Sequence, residues 1–180
     1  MTTKNRRRWT YFALLAVLAV AGPYLYWTKV QYRLLTVVEG KVYRSAAMPP
    51  AKLLSVAEDL GIKTVIDLRT PGPRVEEERA ALEGTGITHL SLPSGTTPDP
   101  PEWEAVLEAM RSTDEPVLFH CTHGIGRAAI FEAIYRMEFQ DWNPEEARQS
   151  AYIRSGLGSF GPESRRGRFI LEYPNPSENL

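Results

Sequence analysis

The chain has a single cysteine, Cys121, among its 180 residues. An intrachain disulfide is therefore impossible, and the thiol cannot belong to a disulfide framework. Histidine is also scarce, with three residues, and neither a Cys-x-x-Cys pair nor a Cys/His cluster with zinc-ligand spacing occurs. Cys121 is left with two main roles, a small buried apolar side chain or a nucleophile.

The chain also lacks an excess of positive charge. It carries 21 Lys and Arg residues against 22 Asp and Glu residues, and the part after Trp27 has 17 against 22, a formal balance of −5. Nucleic acid is therefore not expected as a partner. Internal repeats and low-complexity tracts are missing too. A content of 43% hydrophobic and 24% charged residues is typical of one folded domain.

A long uncharged run lies near the amino terminus. Residues 1–8 are a basic segment, and residues 9–27 carry no charge, with Trp and Tyr residues at both ends of the run. Such a helix nearly spans a hydrocarbon core of roughly 30 Å, and amphipathic rings prefer the interfaces of a membrane. The run predicts a single-pass transmembrane signal anchor. A cleaved signal peptide is the alternative, because residues 19–21, Ala-Val-Ala, resemble a cleavage site.

The charges around this run predict its orientation. Four basic residues precede it, and only Lys29 and Arg33 follow soon after it. The positive-inside rule then places the amino terminus in the cytoplasm and the rest of the chain on the outer, or periplasmic, side. A buried helix of a soluble protein is disfavoured, because every face of the run is apolar.

Strand-like and helix-like patterns alternate through residues 28–174, the predicted catalytic domain, and residues 175–180 are predicted to be a tail. The expected strands are a hairpin around Glu39-Gly40 within residues 34–46 and single strands at 63–68, 87–93 and 116–120. The expected helices are 50–60, 75–83, 102–111, 126–137, one after Asn143 and one near the end. This alternation predicts an α/β fold with a mostly parallel central sheet flanked by helices, in which ligands bind at the carboxyl ends of the strands.

The stretch HCTHGIGR, residues 120–127, joins a predicted strand to a predicted helix. A loop with a glycine at position 124 and a helix starting near Gly126 would direct several backbone N–H groups toward one point above the thiol. Such a ring of amides binds tetrahedral anions and favours the thiolate form of cysteine. The planar guanidinium of Arg127 can hold two oxygens of such an anion. The pattern therefore favours a nucleophilic cysteine.

These residues resemble the signature of the protein tyrosine phosphatase superfamily. The match consists of His120-Cys121-x5-Arg127 with Gly124, and the segments VYRSA, TVIDLR and PVLFHC are similar to the bacterial dual-specificity-type branch. The resemblance covers about residues 34–151. It implies the cysteine-dependent phosphatase fold and a reaction that needs no metal and no cofactor.

By this resemblance, Cys121 attacks phosphorus, and water then hydrolyses a cysteinyl-phosphate intermediate. Arg127 would bind the phosphate together with the loop residues, which are Thr122, His123, Gly124, Ile125 and Gly126. His120 would orient the loop and help to keep the thiol ionised without touching the substrate; a plain core histidine at the end of a strand is the alternative. The His123 ring could add a donor at the rim of the site or face solvent.

The expected general acid is an aspartate on a loop before the cysteine. Asp99, in TTPDPP, is the candidate, 22 residues before Cys121. A solvated aspartate between two prolines is the alternative, and Asp67 is expected to have a structural hydrogen-bonding role. The chain departs from the family at Ala128, where Ser or Thr commonly stabilises the departing thiolate. This departure predicts slow hydrolysis of the intermediate.

The sequence thus predicts a membrane-tethered phosphatase of phosphomonoesters. Proteins carrying phosphotyrosine or phosphoserine/threonine are the default substrates, and lipid or inositol phosphates are the alternative. A non-catalytic phosphate-binding module is a second interpretation, because of Ala128 and the short spacing of Asp99. Sulfur transfer of the rhodanese type is disfavoured, because five residues between Cys121 and Arg127 give a loop of phosphatase size.

Several other arginines are expected to serve the framework or the surface. Arg44 and Arg69 are expected to be structural salt-bridge partners, and a role as phosphate ligands is the alternative. A basic run toward the carboxyl end is expected to be a solvated face, with a pocket rim or lipid headgroups as alternatives. This run consists of Arg148, Arg154, Arg165, Arg166 and Arg168.

Overall fold

The computed structural model describes residues 3–155 and 159–174, so the predicted tail at 175–180 lies outside the described residues. The helices are α1 Thr3–Lys29, α2 Pro50–Leu60, α3 Pro73–Leu82, α4 Pro100–Arg111, α5 Arg127–Gln140, α6 Pro144–Ser155 and α7 Arg165–Leu171. The strands are β1 Leu35–Val38, β2 Val42–Ala46, β3 Thr64–Asp67, β4 Thr88–Ser91 and β5 Val117–Cys121. Each predicted strand and helix is found, with its ends shifted by a few residues.

The strands form one sheet in the order β1-β2-β5-β3-β4. β1 and β2 are the predicted antiparallel hairpin, and Gly40 in its turn has a φ of +68°, a left-handed conformation that glycine adopts readily. β2, β5, β3 and β4 run parallel to one another. The predicted α/β fold with a central sheet flanked by helices is confirmed. The sheet itself is mixed and not the predicted mostly parallel one, because β1 pairs antiparallel with β2.

Side chains of β5 alternate between two hydrophobic cores, as the two-residue repeat of a strand requires. Val117, Phe119 and Cys121 face the larger core, which helices α4 to α7 complete. Leu118 faces the smaller core, which α2 and α3 complete. Because β5 is central and covered on both faces, it gives Cys121 a rigid support.

Helix α1 differs from the other helices in its surroundings. Its portion Trp9–Lys29 has a mean hydropathy of 1.4, and none of its most apolar window is buried against the rest of the described chain. By length and composition this portion is a candidate membrane span. The lack of burial disfavours the alternative of a core helix in a soluble protein.

Candidate active site

Cys121 is the last residue of β5 and Arg127 is the first residue of α5, so residues 122–126 form the whole connection between strand and helix. The thiol is free, and the residue is only 3% exposed. β5 lies between β2 and β3 and runs parallel to both. The loop therefore lies at the carboxyl edge of the sheet, where this class of fold binds ligands.

The backbone N–H groups of residues 122–126 donate to no other group within residues 3–155 and 159–174. Gly126 is the N-cap of α5, and no side chain caps this helix. Free amides at the start of a 14-residue helix, together with the positive end of its dipole, have the chemistry that binds anions in proteins. The structure thus places together the five loop residues that the sequence predicts to bind phosphate.

Gly124 lets the loop lie directly against β2. Its φ is +68°, and a Cβ atom at this position would lie 2.6 Å from the Ala46 nitrogen and 2.8 Å from the Ser45 carbonyl carbon. Both neighbours are backbone atoms of a central strand and cannot move aside. Only glycine therefore fits at position 124, for steric and conformational reasons together.

The Arg127 side chain folds back along the loop. Its Nη1 donates to the Leu68 carbonyl at 2.6 Å, directly after β3, and its Nη2 lies 3.4 Å from the Thr122 hydroxyl. The second contact is long for a hydrogen bond, so this end of the guanidinium remains free to donate to a ligand. Arg127 is half-buried and lies beside the loop as the predicted anion clamp requires.

A buried ion-pair network holds the loop from within the core. Arg44 on β2 is fully buried, its Nη1 donates to the Gly124 carbonyl at 2.8 Å, and its Nε lies 2.5 Å from Glu132 Oε2. Glu132 Oε1 also accepts from Arg136 and Arg154. The predicted structural role of Arg44 is confirmed. Glu132 is missed by the sequence analysis, because a lone acid within an apolar helix pattern does not reveal its partners.

Electrostatics keep this network charged. Burial alone would raise the pKa of Glu132, but the positive charges of Arg44, Arg154 and Arg136 outweigh burial and hold the pKa below its usual value.

The prediction of a solvated basic face is wrong for Arg148, which is buried, pairs with Glu145 and donates to the Phe160 carbonyl. Arg148 instead links α6 to the segment before α7, and Arg154 links α6 to α5 through Glu132.

His120 is fixed by a second network on the opposite face of β5. Its Nε2 lies 2.8 Å from Glu78 Oε1 on α3, and Glu78 Oε2 accepts from Arg69 at 2.8 Å. Arg69 also donates to both carboxylate oxygens of Asp67. The expected structural roles of Asp67 and Arg69 are confirmed. Glu78 is missed by the sequence analysis, because only the fold brings α3 against the end of β5.

Asp67, Glu78 and His120 are of metal-ligating type, and their ligand atoms lie within 4.8 Å of one another. The Arg69 guanidinium already donates to both carboxylates, so a positive charge is in place. A metal ion here would have to displace this buried guanidinium from both carboxylates. The cluster is therefore explained as a structural ion-pair network.

The Glu78 network predicts a specific pH dependence. Burial would raise the pKa of Glu78, but hydrogen bonds from His120 and His89 and the charge of Arg69 lower it from 4.5 to about 2. A carboxyl pKa that is lower in the folded state stabilises the fold above pH 4.5, and this stabilisation is lost as the pH falls toward 2. The shift corresponds to about 3 kcal/mol.

The free energy of unfolding of the wild type should fall as the pH is lowered through this interval. In Glu78→Gln, which has no carboxyl group to protonate at this position, that fall should be smaller by about 3 kcal/mol. The measurement is urea unfolding, followed by near-UV circular dichroism, at a series of pH values. Glu76→Gln, an exposed position on the same helix, is the matched control. Identical pH profiles for the two variants would contradict the assigned role of Glu78.

A cavity of about 810 Å³ opens beside the loop. This volume is typical of a ligand pocket and far exceeds that of a phosphate ion, so it leaves room for the organic part of a substrate. Thr122 and Arg127 connect the cavity with the loop. The remaining lining residues are Tyr32, Ala47, Met48, Pro49, Pro50, Arg69, Thr70, Gly72, Pro73, Arg74, Val75, Glu77 and Glu78.

Asp99 is the N-cap of α4 and is exposed. Its Oδ1 accepts from the Glu102 N–H at 3.1 Å, and its own N–H donates to Glu102 Oε2 at 3.1 Å. Oδ2 accepts no hydrogen bond in the described residues, and Asp99 is not among those that line the cavity. The role of Asp99 as general acid remains a prediction.

The His123 side chain is exposed, and the backbone carbonyl of His123 accepts from Arg33 Nη1 at 3.0 Å. The role of the His123 ring as a donor at the rim of the site also remains a prediction.

Comparison with known proteins gives the family. A family model described as "Polymorphic toxin system, DSP-PTPase phosphatase" matches residues 40–138. The dual specificity protein phosphatase TpbA of Pseudomonas aeruginosa strain PAO1 is 33% identical over 125 residues, which are 68% of this chain and 53% of TpbA. The chain thus spans about half the length of this curated relative.

Solved structures show the same fold. The crystal structure of P. aeruginosa TpbA has a TM-score of 0.63 and 28% identity, and the match covers 83% of this chain and 89% of that one. A cysteine-to-serine variant of TpbA in complex with pTyr has a TM-score of 0.62 and 27% identity, over 82% and 88% of the two chains. The core catalytic domain of the PP-IP phosphatase SIW14 from S. cerevisiae, at 20% identity and a TM-score of 0.65 over 82% and 88%, shares the fold.

Proposed function

Because the chain belongs to the DSP-PTPase phosphatase family, we propose that it is a membrane-tethered, cysteine-dependent phosphatase of phosphomonoesters. The strongest support is the loop itself. Cys121 precedes five backbone amides that have no other partner in the described residues, and Arg127 closes the loop at the start of α5. This arrangement fits a tetrahedral dianion held above a thiolate.

The reaction has two steps. The Cys121 thiolate attacks phosphorus, so that an S–P bond forms while the P–O bond to the leaving group breaks. Arg127 and the loop amides hold the remaining phosphate oxygens, and Asp99 gives its proton to the leaving oxygen. Water then attacks the cysteinyl-phosphate, Asp99 takes a proton from that water, and inorganic phosphate leaves the thiolate.

The acid role of Asp99 predicts a dependence on the leaving group. Asp99→Asn should lower kcat for phenyl phosphate by about a hundredfold and much less for para-nitrophenyl phosphate, whose leaving group needs no proton. Asparagine is a good N-cap, so the start of α4 should be preserved. Steady-state kinetics with the two esters measure the difference. An equal loss for both esters, or no loss, would exclude Asp99 as the acid.

Ala128 predicts accumulation of the intermediate. It is fully buried at the start of α5 and offers no hydroxyl to the departing thiolate. Rapid mixing with para-nitrophenyl phosphate should therefore release a burst of nitrophenol before slower steady-state turnover. Ala128→Ser should shrink the burst and raise the steady-state rate several-fold. A wild type without a burst, and without trapped phosphocysteine, would reject this prediction.

Phosphotyrosine in proteins is the first proposed substrate, with phosphoserine and phosphothreonine beside it. The TpbA relative was crystallised with pTyr, and the cavity beside the loop has room for an aryl group and its flanking chain. Its walls include the apolar side chains of Met48, Pro49 and Val75, which suit an aromatic ring.

A lipid or inositol phosphate is the second candidate, and the position of α1 favours it. α1 ends at Lys29, and Tyr32, three residues further on, already lines the cavity. Three residues span at most about 11 Å. If α1 crosses the membrane, with the amino terminus in the cytoplasm and the domain on the periplasmic side, the cavity lies close to lipid headgroups.

One panel of substrates tests these proposals. The full chain, in detergent micelles, is assayed for phosphate release from para-nitrophenyl phosphate, from phosphotyrosine and phosphoserine peptides, and from phosphoinositides in the same micelles. Hydrolysis of the aryl ester is expected, and the ratio of kcat/KM between peptides and phosphoinositides identifies the substrate class. Phosphate binding without hydrolysis of any member would instead support the non-catalytic binding module.

A further inference from the structure

Arg166 on α7 lies against the loop that follows Cys121, although forty positions separate it from Gly126. A Cβ atom at Gly126 would lie 3.4 Å from Arg166 Nη2 and 3.6 Å from its Cζ. The Arg166 side chain is half-buried, whereas its neighbours Arg165 and Arg168 are exposed. The solvated face predicted for this run therefore does not describe Arg166, whose guanidinium is packed beside the start of α5.

The charge of Arg166 is not neutralised by a carboxylate in the part of the chain that the structure describes. Its guanidinium lies over the Phe160 ring, with Cζ 5.9 Å from the ring centroid. The arginines that serve the framework are different, because every one of them has a carboxylate within 4.0 Å. These are Arg44, Arg69, Arg136, Arg148 and Arg154.

Gly126 also carries one of the free N–H groups of the loop and is the N-cap of α5. The Arg166 guanidinium therefore lies beside a residue whose amide would donate to a bound anion. An unpaired positive charge beside the loop, partly shielded from water, attracts a dianion. A planar guanidinium can also donate to one of its oxygens after a small rotamer change.

We propose that Arg166 is a second guanidinium of the anion site, which binds the phosphate held by residues 122–126 from the side of α7 while Arg127 binds it within the loop. This inference rests on one part of the proposed function, the binding of a phosphate dianion by the loop. It assigns α7, the last described helix, a direct part in substrate affinity. Arg166 increases the affinity of the site for the ground-state phosphate and for the transition state alike, so its contribution appears mainly in KM.

The test uses the full chain in detergent micelles and inorganic phosphate as the probe. In a Cys121→Ser background, which cannot turn over, calorimetric titration should give a phosphate Kd that Arg166→Gln raises about threefold to tenfold. Arg166→Lys should restore at least half of the lost binding energy. Arg165→Gln, which removes the same charge from the adjacent exposed position, should change Kd less than twofold.

In the chain that retains Cys121, Arg166→Gln should raise KM for para-nitrophenyl phosphate by a similar factor, with a smaller change in kcat. Circular dichroism and the unfolding midpoint establish that each variant is folded, and Arg166→Lys carries the test if the glutamine variant is not. The proposal would be overturned if Arg166→Gln and Arg165→Gln changed the phosphate Kd equally. It would also be overturned if Arg166→Gln and Arg166→Lys both had the wild-type Kd.

The two proposals fail separately. If the chain hydrolyses no ester while Arg166→Gln still weakens phosphate binding, the proposed activity is wrong and the role of Arg166 stands. If hydrolysis proceeds normally and Arg166→Gln binds phosphate like the wild type, the activity stands and the role of Arg166 is wrong.

Discussion

Cys121→Ser is expected to lower kcat for para-nitrophenyl phosphate by at least about a thousandfold, because the nucleophile is lost. A serine hydroxyl is a much weaker nucleophile than a thiolate, and the proposed first step supplies no base to activate it. The measurement is initial-rate kinetics on the full chain in detergent micelles.

Phosphate binding provides the control for this variant. The loop amides and Arg127 remain in Cys121→Ser, so its Kd for inorganic phosphate should stay within a few-fold of the wild-type value. Serine replaces a residue that is 3% exposed and of nearly the same volume, so the fold should be retained. Activity within tenfold of the wild type would show that Cys121 is not the nucleophile.

Arg127→Lys is the second variant with a large expected effect. Lysine keeps the charge but loses the planar fork, so it cannot hold two phosphate oxygens while it also donates to the Leu68 carbonyl. Removal of one donor to developing negative charge typically costs about 100-fold to 1000-fold in kcat. We expect a loss of this size for Arg127→Lys, with a smaller change in KM.

Arg111→Lys is the matched control, because it makes the same substitution at an exposed salt bridge on α4. Arg111 lies near Val117 at the start of β5, whereas the loop follows the end of that strand. Its kcat should stay within twofold of the wild-type value. If the two lysine variants have equal kcat values, the charge of Arg127 suffices and the bidentate role is wrong. If Arg127→Lys raises KM without lowering kcat, Arg127 contributes to binding alone.

The same expected losses separate the catalytic proposal from the non-catalytic module. A binding module would hydrolyse no ester even as the wild type, and Arg127→Lys would change only its affinity for phosphate. A phosphatase would hydrolyse the ester as the wild type, and Cys121→Ser and Arg127→Lys would each lower its kcat. The combination of the two variants therefore tests the nucleophile and the clamp independently.

Local sequence determined the centre of the site. A strand pattern that ends at Cys121, a loop with Gly124 and an arginine six positions after the cysteine together predict a strand, an amide ring and a helix start. Each of these features depends on residues close in the chain, because strand repeat, glycine conformation and helix starts are local properties. The hairpin, the strands and the helices around the site were predictable for the same reason.

Only the tertiary structure decided how this centre is supported. Glu78 reaches His120, and Glu132 reaches Arg44, because the strand order places β5 between β2 and β3 with a helical layer on each face. Arg166 reaches Gly126 only because α7 packs beside α5. Contacts between elements distant in the chain depend on strand order and helix packing, and no local pattern of residues encodes either. The sequence therefore determined the reactive loop, and the packing of distant elements decided which charges surround it.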